Sequence, residues 1–203
     1  MIQRPDFPDE DWELLQSKKL SSLRQTLEDP AKSGNRVFWK QFYGDSYRGK
    51  LTTEASLNAI DTAAMRAFHA AHYTPAGSTL LVAGDLDPQA TLPILEEAIG
   101  GWQPEVAAPE TPVVEIQPFA EPVLYFLDQP GAAQSVIRAG AVATLDRTDP
   151  GWFDLYMGLQ VLGGQFTSRV NMNLREDKGY TYGARCGMVD RHGPTQIYCN
   201  TSV

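Results

Sequence analysis

Prolines are concentrated between residues 102 and 122, and this stretch divides the chain. A proline has a fixed φ and no backbone N–H, so a segment rich in proline extends neither a helix nor a central strand. Glutamate and alanine fill the rest of the stretch, which is a composition typical of a linker. The sequence therefore predicts two parts, residues 1–103 and 122–203, joined by a linker at residues 104–121. The prolines are Pro104, Pro109, Pro112, Pro118 and Pro122.

Helical periodicity dominates the first part. Apolar side chains recur at about every 3.6 residues in three segments, which predicts helices over Asp9–Leu27, 31–42 and 57–72. A continuous apolar run at 78–83 indicates a strand covered on both faces. A further helix is expected over 90–99, closed by glycines.

Short strands alternate with helices in the second part. Apolar runs predict strands at 123–127 and 135–140. A helix is expected from Asp149-Pro150 to Val161, ended by Gly163-Gly164, and another over 166–174. Both parts thus mix helices and strands, and the predicted fold class is α+β.

A hairpin is predicted near the end of the sequence, with strands at 184–189 and 194–200 around His192-Gly193. A two-residue turn would pair residue 191 with 194, and the same register pairs Cys186 with Cys199. These are the two cysteines of the chain. They form either a disulfide or two small buried thiols, and a slip of one residue would separate them.

The charge balance excludes one class of function. The chain of 203 residues has 17 Lys and Arg against 25 Asp and Glu, a net charge of −8. A nucleic-acid binder needs a basic face, so we expect no nucleic-acid partner. No run approaches the roughly 18 apolar residues of a membrane span. The first residues lack the apolar region of a signal peptide, and we interpret the start as that of a fragment.

Two histidines are candidate metal ligands. His69 and His72 stand three residues apart, so a helix places them on one face. A working zinc site needs a third ligand and a general base nearby. The intervening residues are Ala70 and Ala71. The alternative interpretation is a helix end at which histidines interact with the helix dipole.

Polar and aromatic residues are dense from Leu174 to Gly183, where a helix meets a strand. Arg175 offers a rigid fork of donors for carboxylates and carbonyls. Tyr182 offers a phenol that can donate to a developing oxyanion. The alternative is a salt-bridged helix end with tyrosines packed on the sheet. Upstream, Gly163-Gly164 lacks the pattern of a phosphate-binding loop, which favours a packing or turn role.

The run from Leu162 to Gly183 resembles the insulinase/pitrilysin family of zinc peptidases, which includes mitochondrial processing peptidases. The shared pattern is a Gly-Gly turn, Ser-Arg, Leu-Arg-Glu, and then glycine, an aromatic residue and tyrosine. Residues 68–85 and 7–44 also agree, so the resemblance covers nearly the whole chain. It implies two-layer lobes of sheet and helix, with parts of two consecutive lobes present here. It also implies that Arg175 and Tyr182 contact the substrate, supported by Gly163, Gly164, Ser168, Arg169 and Gly179.

The zinc motif of that family, H-x-x-E-H, does not occur in this sequence. The family's later zinc-binding glutamate would fall near Ser22, and a supporting glutamate near Leu15. The resemblance therefore implies a noncatalytic half that binds no zinc, clamps a peptide, and pairs with a zinc-bearing half or subunit. Two alternatives stay open. One is a proteolytically inactive assembly subunit, and the other is an independent peptidase that uses His69 and His72.

Further expectations concern the parent protein and its substrate. An edge strand is expected near residues 195–201, where a peptide could add by β-augmentation. The acidic net charge favours basic or neutral peptides. The compartment stays open between a bacterial periplasm and a cytoplasm, and the facing cysteines favour export.

Overall fold

The computed structural model describes residues 2–103, 106–107, 110, 112, 114–189 and 193–203. Within these ranges the chain forms two compact units, residues 1–21 with 53–112 and residues 22–52 with 113–203. The lobe boundaries predicted around the linker stay a prediction. The main elements are α1 (Asp9–Glu28), α2 (Pro30–Tyr43), α3 (Glu54–Asn58), α4 (Thr62–His72), α5 (Pro88–Ile99), β1 (Val136–Ala143), α6 (Trp152–Leu159), α7 (Arg169–Asn171), β2 (Ala184–Val189) and β3 (Thr195–Ser202).

The first unit is built on α3, α4, α5 and the first part of α1. The single helix predicted over 57–72 is wrong, because α3 ends at Asn58 and α4 begins at Thr62. Asp61 explains the break, since its carboxylate accepts the Ala64 amide at 2.7 Å as the N-cap of a new helix. Trp12 fixes α1 to this region by donating its indole N–H to the Ile60 carbonyl at 3.0 Å.

The strand predicted at 78–83 does not form in the structure. Leu81 is 89% exposed, and its apolar neighbours are exposed as well. A strand that is buried on both faces needs neighbouring strands to satisfy its backbone. Within the described ranges the sheet contains only β1, β3 and β2, which all belong to the second unit. The apolar run therefore has the composition of a central strand, but within the described ranges it has no neighbouring strands to pair with.

The second unit contains a three-stranded antiparallel sheet in the order β1-β3-β2. The predicted hairpin is confirmed, and so is its register, because Cys186 lies opposite Cys199. β3 is the central strand, so the expectation that it forms an edge is wrong: β1 occupies its second side. His192 of the predicted turn lies outside the described residues. Gly193 has a φ of 100°, a conformation that favours glycine.

Aromatic residues of α2 cover one face of this sheet. Phe42 and Tyr43 are buried together with Val114 and Ile116, and Phe38, Trp39 and Val142 pack against them. Gly140 of β1 permits the close approach, because a Cβ there would lie 2.6 Å from the Phe38 ring and 2.7 Å from the Phe42 ring. Buried Tyr43 donates its hydroxyl to the buried Gln196 side chain of β3 at 2.9 Å. Helix α2 is thereby fixed in position on the sheet.

The opposite face of β2 packs against the end of α6. This helix continues as a wider π-helical turn over Gln160–Gly164 and ends there, so Gly163-Gly164 closes it as predicted. A Cβ on Gly163 would lie 2.4 Å from Cys186 Sγ and 2.6 Å from its backbone nitrogen. Gly163 therefore serves close packing, as the sequence favoured. The Cys186 and Cys199 sulfurs are bonded to each other as a disulfide.

Two further predictions for this unit have different outcomes. The strand at 135–140 is confirmed as β1, whereas no strand forms at 123–127. Leu124 and Phe126 are 89% and 87% exposed. As with residues 78–83, the apolar composition is that of a strand, and a neighbouring strand is missing within the described ranges. None of the helices in those ranges is both long enough and apolar enough to cross a bilayer.

Candidate functional site

The loop before β2 presents Tyr182 to solvent on a backbone that is held in place. The Thr201 hydroxyl is within hydrogen-bond distance of the Thr181 hydroxyl at 2.9 Å and of the Gly183 carbonyl at 3.1 Å, and it is the donor in both contacts. The Gly183 amide in turn donates to the Thr181 hydroxyl at 3.1 Å. Between these two anchored residues, the Tyr182 side chain is 90% exposed. A large aromatic residue that is fixed at its backbone and free at its ring is placed to contact a ligand.

Arg175 lies on the π-helical turn Met172–Asp177 that continues α7. Its guanidinium stacks over the Phe166 ring, 4.6 Å from the centroid. Its Nε lies 3.4 Å from Glu176 Oε1, and both of these side chains are partly exposed. An ion pair in that setting is weak. The stacking on Phe166 therefore orients the guanidinium, and Glu176 holds it only loosely.

Asn171 connects the helix that carries Arg175 to the strand that follows Tyr182. Its side chain is buried. It accepts the Ala184 amide at 3.0 Å and donates to the Phe166 carbonyl at 2.6 Å. One amide thus fixes the start of β2 and the residue on which Arg175 stacks. Asn171 was not predicted as a site residue, because a polar residue in a helical pattern carries no sign of such a distant partner.

The remaining residues of the predicted motif occupy structural positions around α7. Ser168 precedes the helix and is buried, whereas Arg169 is exposed. Gly179 has a φ of 65°, and its amide donates to the Arg175 carbonyl at 3.1 Å as the helix ends. Gly164 lies against the flexible end of the Gln160 side chain. The predicted role of these residues, to support the turn and the motif, stays a prediction.

A groove of about 400 Å³ opens beside Tyr182. Arg138 and Arg185 line it, and both lie directly opposite Asn200 in the sheet. Arg175 is not among the lining residues, so the groove does not bring the two predicted substrate contacts together. The full lining is Ala31, Gln134, Val136, Arg138, Thr181, Tyr182, Gly183, Arg185, Asn200, Thr201 and Ser202.

Arg138, Asn200 and Arg185 were not predicted as site residues, although part of the signal for them is present in the sequence. The register that pairs Cys186 with Cys199 also pairs Arg185 with Asn200. The pairing of Arg138 with Asn200 joins strands that are far apart in sequence. No local pattern specifies such a pairing.

His69 and His72 do not form a metal site. His69 Nε2 lies 2.7 Å from the Ile2 carbonyl, and its ring stacks on Tyr73 at 4.8 Å. The His72 ring packs on Phe68, with 4.3 Å between the centroids. Nowhere in the described part of the chain do three or more His, Cys, Asp or Glu residues group as metal ligands. These residues do not fit a zinc ion.

Comparisons with known proteins give a matching family and a similar protein. Residues 59–202 match the family described as the peptidase M16 inactive domain. A protein of Streptomyces coelicolor, described as an uncharacterized zinc protease, is 23% identical over 94% of this chain and 45% of its own length.

Two solved structures share the fold. The peptidase M16 inactive domain from Pseudomonas fluorescens superposes with a TM-score of 0.78 and 23% identity, covering 98% of this chain and 48% of that one. A protease from Helicobacter pylori superposes with a TM-score of 0.80 and 14% identity, covering 97% of this chain and 48% of that one. The chain thus spans about half the length of the relatives it matches, 45% to 48%.

Proposed function

Because the chain belongs to the peptidase M16 family, through its inactive domain, we propose that it is the substrate-binding, noncatalytic part of a zinc endopeptidase. The single observation that carries the proposal is Tyr182, whose side chain is 90% exposed on an anchored loop. The anchored backbone sets the position from which the phenol would donate a hydrogen bond to the oxyanion of a tetrahedral intermediate. Tyr182 would therefore assist a reaction whose catalytic groups lie elsewhere.

Arg175 would bind the peptide near the scissile carbonyl. Its guanidinium is already oriented by stacking on Phe166, and its ion pair with Glu176 is partly exposed. Exchanging that partner for a peptide carbonyl costs little, since exposed ion pairs contribute at most about 1 kcal/mol. The Asn171 bridge would keep the two contacts at a fixed separation.

Zinc and the general base would come from a catalytic half of the same family. Supporting this division, the H-x-x-E-H motif is missing from the sequence and His69 and His72 have local partners. The length of the relatives leaves room for such a half within one protein. A separate subunit would serve the same purpose.

The test compares the zinc-bearing half alone with the same half after addition of this chain. Cleavage of a fluorogenic peptide is measured in both cases. The proposal predicts that kcat/KM rises by orders of magnitude on addition, since oxyanion donors typically contribute roughly 10²- to 10³-fold. Equal activity with and without the chain would contradict it, and would favour the alternative of a structural or assembly subunit.

A further inference from the structure

A row of three polar side chains crosses the sheet beside Tyr182. Asn200 of the central strand lies opposite Arg138 on one side and Arg185 on the other. Residues directly opposite in antiparallel strands point to the same face, so all three side chains share one face. Adjacent strands are about 4.8 Å apart, which separates the two arginine Cα atoms by roughly 10 Å. Two arginine side chains span that distance and can meet above Asn200.

The row lies just beyond the part of the face that α2 covers. Gly140, Tyr198 and Gly187 form the next row of the same face. Gly140 contacts the aromatic rings of α2, and Trp39 packs on Tyr198 with 5.9 Å between the ring centroids. The arginine row therefore has an apolar wall on one side and opens into the groove on the other.

The groove is electropositive on an acidic protein. Its lining includes two arginines and, among the described residues, no aspartate or glutamate. The chain as a whole carries a net charge of −8. Neither Arg138 nor Arg185 has an ion-pair partner within the described ranges. An anion that binds above Asn200 would be attracted by the positive charges on both sides of it.

Arg138 shows the demand for an anion most clearly. Its Nε is buried and has no hydrogen-bond partner among the described residues, while its guanidinium lies 5.9 Å from the Phe38 ring centroid. Burial lowers the pKa of the Arg138 guanidinium, with a smaller opposing effect from Tyr198. Arg138 also lines the groove, where a carboxylate can pair with the charge of its guanidinium.

We infer that Arg138, Asn200 and Arg185 form a subsite for a carboxylate side chain of the bound peptide, next to Tyr182. The inference rests on the proposed function, because Tyr182 is the substrate contact that lines this groove. It assigns a substrate class, namely peptides with Glu or Asp at one position near the scissile bond. The net charge of the whole chain had instead favoured basic or neutral peptides, and the local arginine pair reverses that expectation.

The test uses pairs of fluorogenic peptides that differ at one residue, which is Glu in one peptide and Gln in the other. This residue is placed in turn at each of three positions on either side of the scissile bond. The chain is assembled with its zinc-bearing half, and kcat/KM is measured for each peptide. At one position the Glu peptide should be preferred by about tenfold or more, as charge-assisted hydrogen bonds imply. Arg185→Gln should reduce that ratio toward one. Arg4→Gln removes the same charge from an exposed residue outside the groove and should keep the ratio.

Arg138→Gln should also reduce the ratio, but Arg138 packs on Phe38 and its loss can disturb folding. Arg185 is exposed, so its variant decides the test. A ratio near one at every position in the unmodified protein overturns the inference, as does an unchanged ratio in Arg185→Gln.

Failure of the proposed function has a different signature. In that case Tyr182→Phe cleaves both members of every pair at the normal rate, whatever the Glu-to-Gln ratio is. Should the assembled protein cleave none of the peptides, calorimetric titration of the same Glu and Gln peptides into the chain measures the ratio as binding. Equal binding of both members then overturns the carboxylate subsite.

Discussion

The Asn171 side chain accepts the backbone amide of Ala184 at 3.0 Å, and this one hydrogen bond ties the Arg175 helix to the strand after Tyr182. Both residues are buried, with exposures of 4% and 2%. The second arm of the same amide reaches the Phe166 carbonyl. The relative position of the two proposed substrate contacts therefore depends on a residue that touches no substrate.

Replacing Asn171 by alanine should destabilise the protein by about 1–3 kcal/mol. The Ala184 amide would remain buried without its acceptor, and such groups cost that much. Urea unfolding followed by far-UV circular dichroism measures the change. The matched control is Asn173→Ala, because Asn173 is exposed two residues further along the same helical segment. Equal stability of the two variants would show that the bridge does not hold the site.

Adding one methyl group at Gly163 should destabilise the second unit by roughly 1–3 kcal/mol, the usual cost of overpacking. The new Cβ would lie 2.6 Å from the Cys186 backbone nitrogen, and a backbone atom cannot rotate away. Gly158→Ala is the control, because a Cβ there meets nothing within 4 Å. That substitution should be neutral or stabilising, since alanine is favoured over glycine inside a helix. Thermal unfolding measures the Tm of both variants. A Gly163→Ala variant as stable as the unmodified protein would contradict this close packing of Gly163 on Cys186.

The disulfide between Cys186 and Cys199 should contribute roughly 3 kcal/mol to the free energy of unfolding, mainly by closing a short loop in the unfolded chain. Reduction with dithiothreitol is therefore expected to lower Tm. A Cys186→Ala/Cys199→Ala variant controls for other effects of the reductant, because dithiothreitol should leave its Tm unchanged. If the unmodified protein unfolds at the same temperature with and without reductant, and mass spectrometry shows free thiols in both, the bond is not formed in solution.

Arg175→Lys should lower kcat/KM of the assembled peptidase by about tenfold or more while leaving the fold intact. Lysine keeps the charge but loses the planar fork and the stacking on Phe166. Arg4→Lys is the control, since Arg4 is an exposed arginine outside both the motif and the groove. Peptide cleavage kinetics measure both variants. Equal kcat/KM values for the two would remove Arg175 from the account.

Local patterns predicted the elements whose partners are close in sequence. The hairpin of β2 and β3, with Cys186 opposite Cys199, followed from turn residues and counting. Helices α1 and α2 followed from the periodicity of their apolar residues, and α5 followed from the glycines that close it.

Those local patterns did not predict pairings between strands that are far apart in sequence. The runs at 78–83 and 123–127 have strand composition, yet a strand forms only where another backbone supplies the hydrogen bonds. The placement of β3 in the centre, and with it the row from Arg138 through Asn200 to Arg185, depends on β1 joining from far away in sequence. For the same reason the motif identified Arg175 and Tyr182 but not Asn171, which positions them.

The central claim is that Tyr182 assists cleavage of a peptide, and removal of its hydroxyl tests that claim most directly. Tyr182→Phe and Tyr180→Phe are assembled with the zinc-bearing half, and kcat is measured on one peptide; Tyr180 is also exposed and lies two residues away. We predict that Tyr182→Phe lowers kcat by about 10²- to 10³-fold, the usual effect of losing an oxyanion donor, with unchanged unfolding, whereas Tyr180→Phe remains near normal. Normal turnover by Tyr182→Phe would contradict the account.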